Sequence, residues 1–349
     1  MQKKIIALAI AGLASTAAFA QTNVTVYGIA DVAYVNSFGG SEGSQHNITS
    51  GGLSGSRIGF RGTEDLGNGL KALFVLEYGV DIDENNGIGD ATTAAGARQQ
   101  MLGLTDNFDT FVAGRLQTAG YDFACGTSPI AGSALDAHNA VGVAALLNCN
   151  GAGRADNAVA YISPNWSGFS FAYNHARVTE AAAASNNNDV YANLLAGSYV
   201  NGPLNVNLTY ARVDDNDEVA LGAEKRDEYG IRASYDFKVL TAYAAYQTLK
   251  LDGSDRNKKW SLGVAVPVGA KGTIVAQYAG NDIETADDAD SSAYTLAYTH
   301  ALSKRTTAYA GITHVRNDEN ANLRVGHTPN AAALDENVSA VAIGVRHTF

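Results

Sequence analysis

Arginine side chains on one face of an extended segment are the residues of this sequence best suited to act on other molecules. Between residues 56 and 62, Ile58 and Phe60 alternate with Arg57 and Arg61. Because successive side chains of a strand point to opposite faces, both guanidinium groups lie on one face and both apolar side chains on the other. A guanidinium group keeps its positive charge at any relevant pH. A strand with an arginine face and an apolar back is unusual in a soluble protein.

Residues that carry out catalysis or bind metals show no matching arrangement. The seven histidines are scattered, and none has the spacing of a metal site or lies beside a recognisable nucleophile motif. They fall in predicted loops or on or near predicted strands: His46, His138, His327, His175, His300, His314 and His347. The sequence therefore predicts no catalytic residue, no metal site and no cofactor.

The two cysteines, Cys125 and Cys149, lie in one Gly- and Ala-rich stretch. If the protein is exported to an oxidising compartment, a disulfide between them is favoured over two free thiols, although both remain open. A zinc site is disfavoured because no second pair of ligands lies nearby.

The N-terminal residues have the pattern of a secretory signal peptide. Two lysines precede an apolar segment from Ile5 to Ala18, and Ala18-Phe19-Ala20 forms a small-x-small cleavage site. We predict a signal peptide at residues 1–20, too short to span a membrane, and one exported domain at residues 21–349, since no linker divides it. The formal net charge of −11 makes the chain a poor partner for nucleic acid.

The remaining apolar residues are spread by alternation. Although 46% of the residues are hydrophobic, no later run approaches the roughly 18 apolar residues of a spanning helix. Instead we count sixteen alternating segments, such as Leu-Asn-Val-Asn-Leu-Thr-Tyr at 204–210, joined by short and long connections in turn. This predicts an all-β fold, a 16-stranded antiparallel transmembrane β-barrel, because in lipid every backbone group must pair and no edge can remain. Soluble sandwiches are disfavoured, because one alternating set is apolar and the other small and polar.

Aromatic residues cluster near the short turns, which is typical of a girdle at one membrane interface. They are Phe108, Phe111, Trp166, Phe169, Phe171, Tyr235, Phe237 and Phe349. In the last segment, apolar residues from Val341 to Phe349 alternate with Ala342, Gly344 and Arg346, and the chain ends on Phe349.

The segment from residue 54 to 78 resembles the signature of Gram-negative general porins, particularly those of betaproteobacteria. The shared motifs are Ser-Arg-Ile-Gly-Phe-Arg-Gly and Glu-Asp-Leu-Gly-Asn-Gly-Leu-Lys-Ala, and the resemblance extends from Val24 to Phe349. It implies an outer-membrane barrel with short periplasmic turns, long extracellular loops and a third loop folded into the pore. Such a barrel is usually a homotrimer that passes small hydrophilic solutes by passive diffusion. The terminal Phe349 resembles the family's C-terminal assembly signal.

The same resemblance assigns a basic wall at the pore constriction to Arg57, Arg98 and Arg154. Arg61 and Lys71 are expected to extend it. Clustered guanidinium groups maintain a positive field across a narrow pore. The structural alternative is that each arginine pairs with a wall carboxylate, such as Glu77 or Asp156.

The opposite wall is expected from the connection at about residues 117–153, which resembles the loop that narrows a porin. Its carboxylates are Asp122 and Asp136, and the Pro-Glu-Phe-Gly motif of many family members is absent. Few loop acids facing several arginines predict a weak preference for anions. A disulfide between Cys125 and Cys149 would lie inside this loop and limit its mobility.

Acidic residues concentrate in the long connections, around positions 214–218, 282–290, 318–319 and 335–336. The simpler interpretation is that these acidic residues lie in solvated loops. The more specific hypothesis is that some of their carboxylates bind divalent cations together with lipopolysaccharide.

Expected partners are outer-membrane lipid and lipopolysaccharide, further copies of the chain, and small solutes and ions. Two other functions stay open: a channel preferring a particular anion or sugar, and an adhesin or receptor role of the acidic loops. Some outer-membrane barrels are enzymes, but nothing here matches their catalytic residues.

Overall fold

The computed structural model describes residues 23–90, 96–107, 109–143, 145–179, 190–215, 222–326 and 332–349. The predicted signal peptide, Phe108 and His327 lie outside the described residues. The described ranges hold two short helices, α1 (Ala119–Ala124) and α2 (Ala137–Ala140), with a 3-10 turn at Gly151–Gly153. The strands are β1 (Asn23–Phe38), β2 (Gln45–Ser50), β3 (Arg57–Gly67), β4 (Leu70–Gly79), β5 (Ala97–Thr105), β6 (Thr110–Gln117), β7 (Arg154–Ile162), β8 (Phe169–Thr179), β9 (Val190–Asn201), β10 (Leu204–Asp215), β11 (Lys225–Asp236), β12 (Thr241–Leu251), β13 (Arg256–Val268), β14 (Gly272–Asp282), β15 (Ser291–Ala301), β16 (Thr306–Asn317) and β17 (Val338–Thr348).

One closed antiparallel sheet contains all of these strands. β1 closes it against β17, where Ile29 faces Thr348. The first half of β1 pairs with β3 and its second half with β2, so β2 and β3 share one position in the wall. The wall therefore has sixteen positions, which confirms the predicted barrel. β2 was not predicted, because its six residues, Gln-His-Asn-Ile-Thr-Ser, hold one large apolar side chain and show no alternation.

The two faces of the wall have opposite polarity. On β1, Ala33 and Val35 are buried inside, whereas Tyr34 between them is 42% exposed on the outside. Large apolar side chains cover the outside around the barrel, including Leu102, Val159, Leu195, Leu208, Leu262, Leu296 and Ile343. Buried inward positions carry many small or polar side chains, including Asn207, Thr209, Gln247, Ser261, Gln277, Thr295 and Thr313. An apolar exterior around a polar interior suits a barrel surrounded by lipid.

Exposed aromatic rings contact one another at the short-turn end. Phe111 stacks edge-on against Tyr161 with centroids 5.0 Å apart, and Phe169 lies 4.3 Å from Tyr199. Trp166 is 52% exposed in the turn between β7 and β8. These rings form the aromatic girdle expected at one interface.

The C-terminal residue takes part in closing the barrel. The Gly28 N–H donates to the Phe349 carbonyl, and the Phe349 N–H donates to the Gly28 carbonyl, both over 3.1 Å. The Phe349 ring covers the outer side of Gly28, where a side chain would collide with it. No helix in the described ranges is both long and apolar enough to cross a membrane.

The long connection between β6 and β7, residues 118–153, lies inside the barrel and is called the inner loop below. Its helix α1 contacts β6, β8, β9 and β10, whereas α2 contacts β13 to β16. Phe123 and Leu147 are fully buried against the inward-facing Gly230 of β11. Since its two helices rest on different arcs of the wall, the inner loop crosses the interior and narrows it.

Candidate functional site

Two inward-facing arginines meet one carboxylate beside the inner loop, and a third arginine stacks on that loop. Arg98 of β5 donates from Nε to Glu77 Oε1 of β4 over 2.7 Å, and a guanidinium nitrogen of Arg57 lies 3.8 Å from the same oxygen. Arg154, at the start of β7, stacks its guanidinium 4.6 Å from the ring centre of Tyr121 in α1. We call Arg57, Arg98, Arg154 and Glu77 the basic cluster.

A β-bulge turns Arg98 into the barrel. Leu102 and Leu104 of β5 point outward, 65% and 48% exposed, so strict alternation would send Arg98 outward as well. The pairing of β4 with β5 shifts register after Glu77, which faces Gln99, and Arg98 becomes the extra residue. A bulge re-aims the side chains next to it. The inward position of Arg98 therefore depends on an irregularity that alternation does not reveal.

Pairing with a carboxylate, the structural alternative for these arginines, is present but incomplete. Glu77 binds two of the three guanidinium groups, whereas Asp156 pairs over 2.6 Å with Arg115 and not with Arg154. Three guanidinium groups and one carboxylate leave an excess of positive charge. Burial alone would raise the pKa of the Tyr121 hydroxyl, but the surrounding guanidinium charges outweigh it and hold that pKa below its usual value.

The two residues expected to extend the basic wall lie in different places. Arg61 stacks 4.9 Å from the ring centre of Tyr27, whose hydroxyl donates to Glu77 over 3.0 Å, so Arg61 continues the wall toward the short-turn end. Lys71 lies six residues from Glu77 along β4, which is roughly 20 Å in an extended strand. The structure therefore does not bring Lys71 to the basic cluster.

The two loop carboxylates have different surroundings. Asp122 of α1 is half-buried near Arg232 of β11, and burial raises its pKa to about 7 although Arg232 opposes that shift. Asp136 is 3% exposed and caps α2, accepting from the Gly132 and His138 N–H groups over 2.8 and 3.1 Å. The Asp136 carboxylate is therefore used to fold the inner loop, and its expected role in lining the pore stays a prediction.

Polar side chains of β11 to β15 bind the inner loop, and we call this set the loop anchor. Glu228 accepts from the Leu146 and Leu147 N–H groups over 3.0 and 3.1 Å, and Gln247 donates to the Val143 carbonyl over 2.8 Å. The other members are Ser261, which contacts the His138 ring, Gln277, which accepts from Ala137, Asn281, which donates to Val141, and Thr295, which donates to Leu135. The sequence predicted none of these contacts, because the partners are 81 to 160 residues apart.

His138 of the inner loop is fully enclosed by the anchor. Its two ring nitrogens lie 2.9 Å from Ser261 Oγ and 3.1 Å from Gln247 Oε1. Burial first, and the positive charge of Lys259 second, hold the pKa of His138 well below its usual value. The imidazole is therefore neutral and acts as a structural contact.

Cys125 and Cys149 are joined by a disulfide, with their Cα atoms 4.8 Å apart. The bond ties the C-terminal end of α1 to the residues before the 3-10 turn. It therefore closes a sub-loop beside Tyr121 and the basic cluster.

A second segment turns inward between β2 and β3. The buried Asp31 carboxylate accepts from the Leu53 and Ser54 N–H groups over 3.0 and 2.7 Å, and Ser54 Oγ accepts from Arg346 over 3.0 Å. The Gly52 carbonyl accepts from Ala134 of the inner loop over 2.9 Å. Arg346 thus adds a further inward guanidinium; its alternation with apolar residues in the last strand was the signal for it.

Metal-binding geometry is absent from the described part of the chain, where no three His, Cys, Asp or Glu side chains converge. A closed barrel, narrowed by an inner loop and carrying excess arginine beside that loop, is the architecture of a channel. A family model described as Gram-negative porin matches residues 7–320. The chain belongs to the Gram-negative porin family.

Relatives of this porin share its full length. It is 34% identical over 370 residues to the outer membrane porin protein 32 of Delftia acidovorans and 28% identical over 404 residues to an outer membrane porin protein of Bordetella pertussis, with 100% of each chain covered in both cases. The solved structure of an anion-selective porin from Comamonas acidovorans superposes with a TM-score of 0.78 at 29% identity, covering 94% of this chain and 100% of that one. The protein is therefore an outer-membrane porin.

Proposed function

We propose that this porin is a general diffusion channel that passes small hydrophilic solutes and ions and weakly prefers anions. The observation that carries the proposal is the excess of three guanidinium groups over one carboxylate in the basic cluster. Where a pore is narrow, charges on its wall raise the local concentration of ions of opposite sign. Anions are therefore favoured without a dedicated site.

The basic cluster is better suited to letting anions pass through the pore than to binding them tightly. Glu77 partly neutralises Arg57 and Arg98, so the field that an anion meets is weaker than that of three free cations. Conduction requires that each ion also leaves. The selection is by bore and electrostatics, with no chemical step, and we infer that the protein is not an enzyme.

A relative supports the sign of the preference. The Comamonas acidovorans porin, 29% identical with a TM-score of 0.78, is described as anion-selective.

We also infer that the present protein forms a homotrimer in contact with outer-membrane lipid and lipopolysaccharide, which its family resemblance supports. Ile58 and Phe60, half-exposed on the outside of β3, face either lipid or a neighbouring copy.

Planar-bilayer recordings test the proposal. The purified porin is placed between KCl solutions that differ tenfold in concentration, and the reversal potential is measured. We expect its sign to show chloride crossing faster than potassium, with a permeability ratio of about two to ten. A potential of the opposite sign contradicts the proposed selectivity. Competition by neutral sugars or organic anions in the same recordings detects a channel that prefers one solute.

A further inference from the structure

A basic residue outside the basic cluster, Arg346 of β17, also faces the barrel interior. Ile343 and Val345 of the same strand are exposed on the outside, so Arg346, the next residue, points inward. Arg346 lies opposite Asp31 where β17 pairs with β1. Because β1 pairs with β3 along its other edge, Arg346 is two strands away from Arg57 of the basic cluster.

The guanidinium of Arg346 uses only part of its hydrogen-bonding capacity inside the protein. Its Nη1 donates to the hydroxyl oxygen of Ser54 over 3.0 Å. Among the residues that the structure describes, Nε is buried without a partner, whereas Nη2 makes no bond and is not buried. The Ser54 hydroxyl accepts from Arg346 and donates to no acceptor in that part of the chain, so its proton is also left for an external group.

The one carboxylate that lies near Arg346, that of Asp31, is bound by other groups. One of its oxygens accepts from the Leu53 and Ser54 N–H groups, and the other accepts from the Tyr309 hydroxyl. No ion pair joins Arg346 to a carboxylate within the described ranges. The fully buried charge of Asp31 therefore weakens the field of Arg346 but leaves its donors unmatched.

The chain at Ser54 and Gly55 lies between Arg346 and the basic cluster. The Gly55 carbonyl accepts from Arg57 Nε over 3.0 Å, and a Cβ added to Gly55 would lie 3.3 Å from Nη1 of Arg98. The adjacent Ser54 hydroxyl contacts Arg346 on the other side. Guanidinium groups therefore follow one another along the wall from Arg98 through Arg57 to Arg346.

We propose that Arg346 and the Ser54 hydroxyl form a second anion station, which binds a carboxylate group or a small inorganic anion next to the basic cluster. A guanidinium nitrogen and a hydroxyl group are donors that together suit the oxygens of a carboxylate. Conduction through several weak sites allows each anion to leave again. The proposal rests on the proposed preference for anions and adds to it a site outside the basic cluster.

Reversal potentials in a tenfold KCl gradient test the contribution of the second anion station. Arg346→Gln removes its charge and Arg346→Lys keeps it, whereas the matched control Arg316→Gln removes a guanidinium from the exposed outer face of β16. We expect the chloride-to-potassium permeability ratio to fall about 1.5- to twofold in Arg346→Gln. In Arg346→Lys and Arg316→Gln it should stay within about a fifth of its original value.

The unaltered porin separates two ways in which this test can fail. If the unaltered porin prefers cations, the proposed function and the second anion station are both contradicted. If it prefers anions and Arg346→Gln leaves the permeability ratio unchanged, the second anion station alone is overturned.

Crystals of the unaltered porin soaked in sodium bromide locate a bound anion without relying on the folding of an Arg346 variant. We expect anomalous scattering from bromide within about 3.5 Å of Arg346 Nη2 and Ser54 Oγ. Its occupancy should fall at least about twofold in Ser54→Ala, which lacks one donor. Bromide at the basic cluster but not at Arg346 would overturn the second anion station, and bromide at neither place would contradict the proposed function as well.

Discussion

Two groups of inward polar side chains in this barrel have opposite roles. In the basic cluster, Arg57 and Arg98 share the single carboxylate of Glu77 while Arg154 stacks on Tyr121, so an excess of positive charge remains beside the inner loop. In the loop anchor, polar side chains from Glu228 to Thr295 make hydrogen bonds to the backbone or side chains of that loop. The first group can act on ions, whereas the second holds the element that narrows the pore.

The basic cluster and the loop anchor differ in how many partners their polar side chains have inside the protein, and not in polarity. Glu228 is 1% exposed and accepts from the backbone of Leu146 and Leu147, so its charge is used inside the protein. Arg154 has a buried Nε without a hydrogen-bond partner among the described residues, and its guanidinium stacks on Tyr121. An inward polar residue of a barrel therefore indicates a pore wall only where its charge is not already matched.

Displacing the inner loop should have the largest effect. Gly230→Val adds a side chain where Phe123 and Leu147 pack against the wall, with less than 3.0 Å available to its Cβ. We expect the loop to move and single-channel conductance to rise about twofold or more, because an unobstructed barrel of this size encloses a wide channel. Gly197→Val is the matched control, since no atom lies within 4 Å of its added Cβ. Unchanged conductance in Gly230→Val would show that the loop does not set the bore.

Removing the carboxylate of the basic cluster should have the next largest effect. Glu77→Gln eliminates the only negative charge among three guanidinium groups. We expect the chloride-to-potassium permeability ratio to rise about two- to fourfold, at a folding cost of about 3 kcal/mol for unpairing buried charges. Glu84→Gln, in the exposed connection after β4, should leave both quantities unchanged. A lower permeability ratio in Glu77→Gln would place the selectivity elsewhere.

The charge of Asp122 should make the selectivity depend on pH. Burial raises its pKa to about 7, so the carboxylate is mostly charged at pH 8 and mostly neutral at pH 6. As pH falls through this range a negative charge is lost near Arg232, and anion preference should rise, by less than about twofold for one charge. Reversal potentials at the two pH values measure this. Asp122→Asn should abolish the change and Asp156→Asn should retain it; an unaltered response in Asp122→Asn would assign it to another group.

Reducing the disulfide should have the smallest effect. The loop anchor and the packing of Phe123 and Leu147 hold the inner loop independently of the Cys125–Cys149 bond. We expect Cys125→Ser combined with Cys149→Ser to change mean conductance by less than about a fifth while increasing current noise, because the bond mainly restricts the sub-loop beside Tyr121. A large loss of conductance would show that the bond sets the position of the loop.

Alternation predicted the parts of the fold that obey a local rule. It gave the closed barrel with apolar side chains outside, and the family resemblance supplied Arg57, Arg98 and Arg154. Alternation did not predict β2, which is too short to show a period, or the bulge that turns Arg98 inward. The resemblance of the inner loop suggested Asp136 as a pore-lining acid and could not show that it caps α2, since a helix cap and a pore-lining acid have the same side chain and differ only in what surrounds them. The loop anchor joins residues about a hundred positions apart, which no local pattern encodes.

The central claim is that the net charge of the basic cluster sets the selectivity of the pore. The most direct test is the reversal potential in a tenfold KCl gradient of a porin carrying Arg57→Ser, Arg98→Ser and Arg154→Ser, compared with one carrying Lys271→Ser, Lys304→Ser and Arg305→Ser. Because the first variant leaves Glu77 as the charge of that site, we predict that it loses its anion preference or becomes cation-preferring, while the second behaves as the unaltered porin. Folded barrels that keep the same anion preference in both variants would contradict the claim.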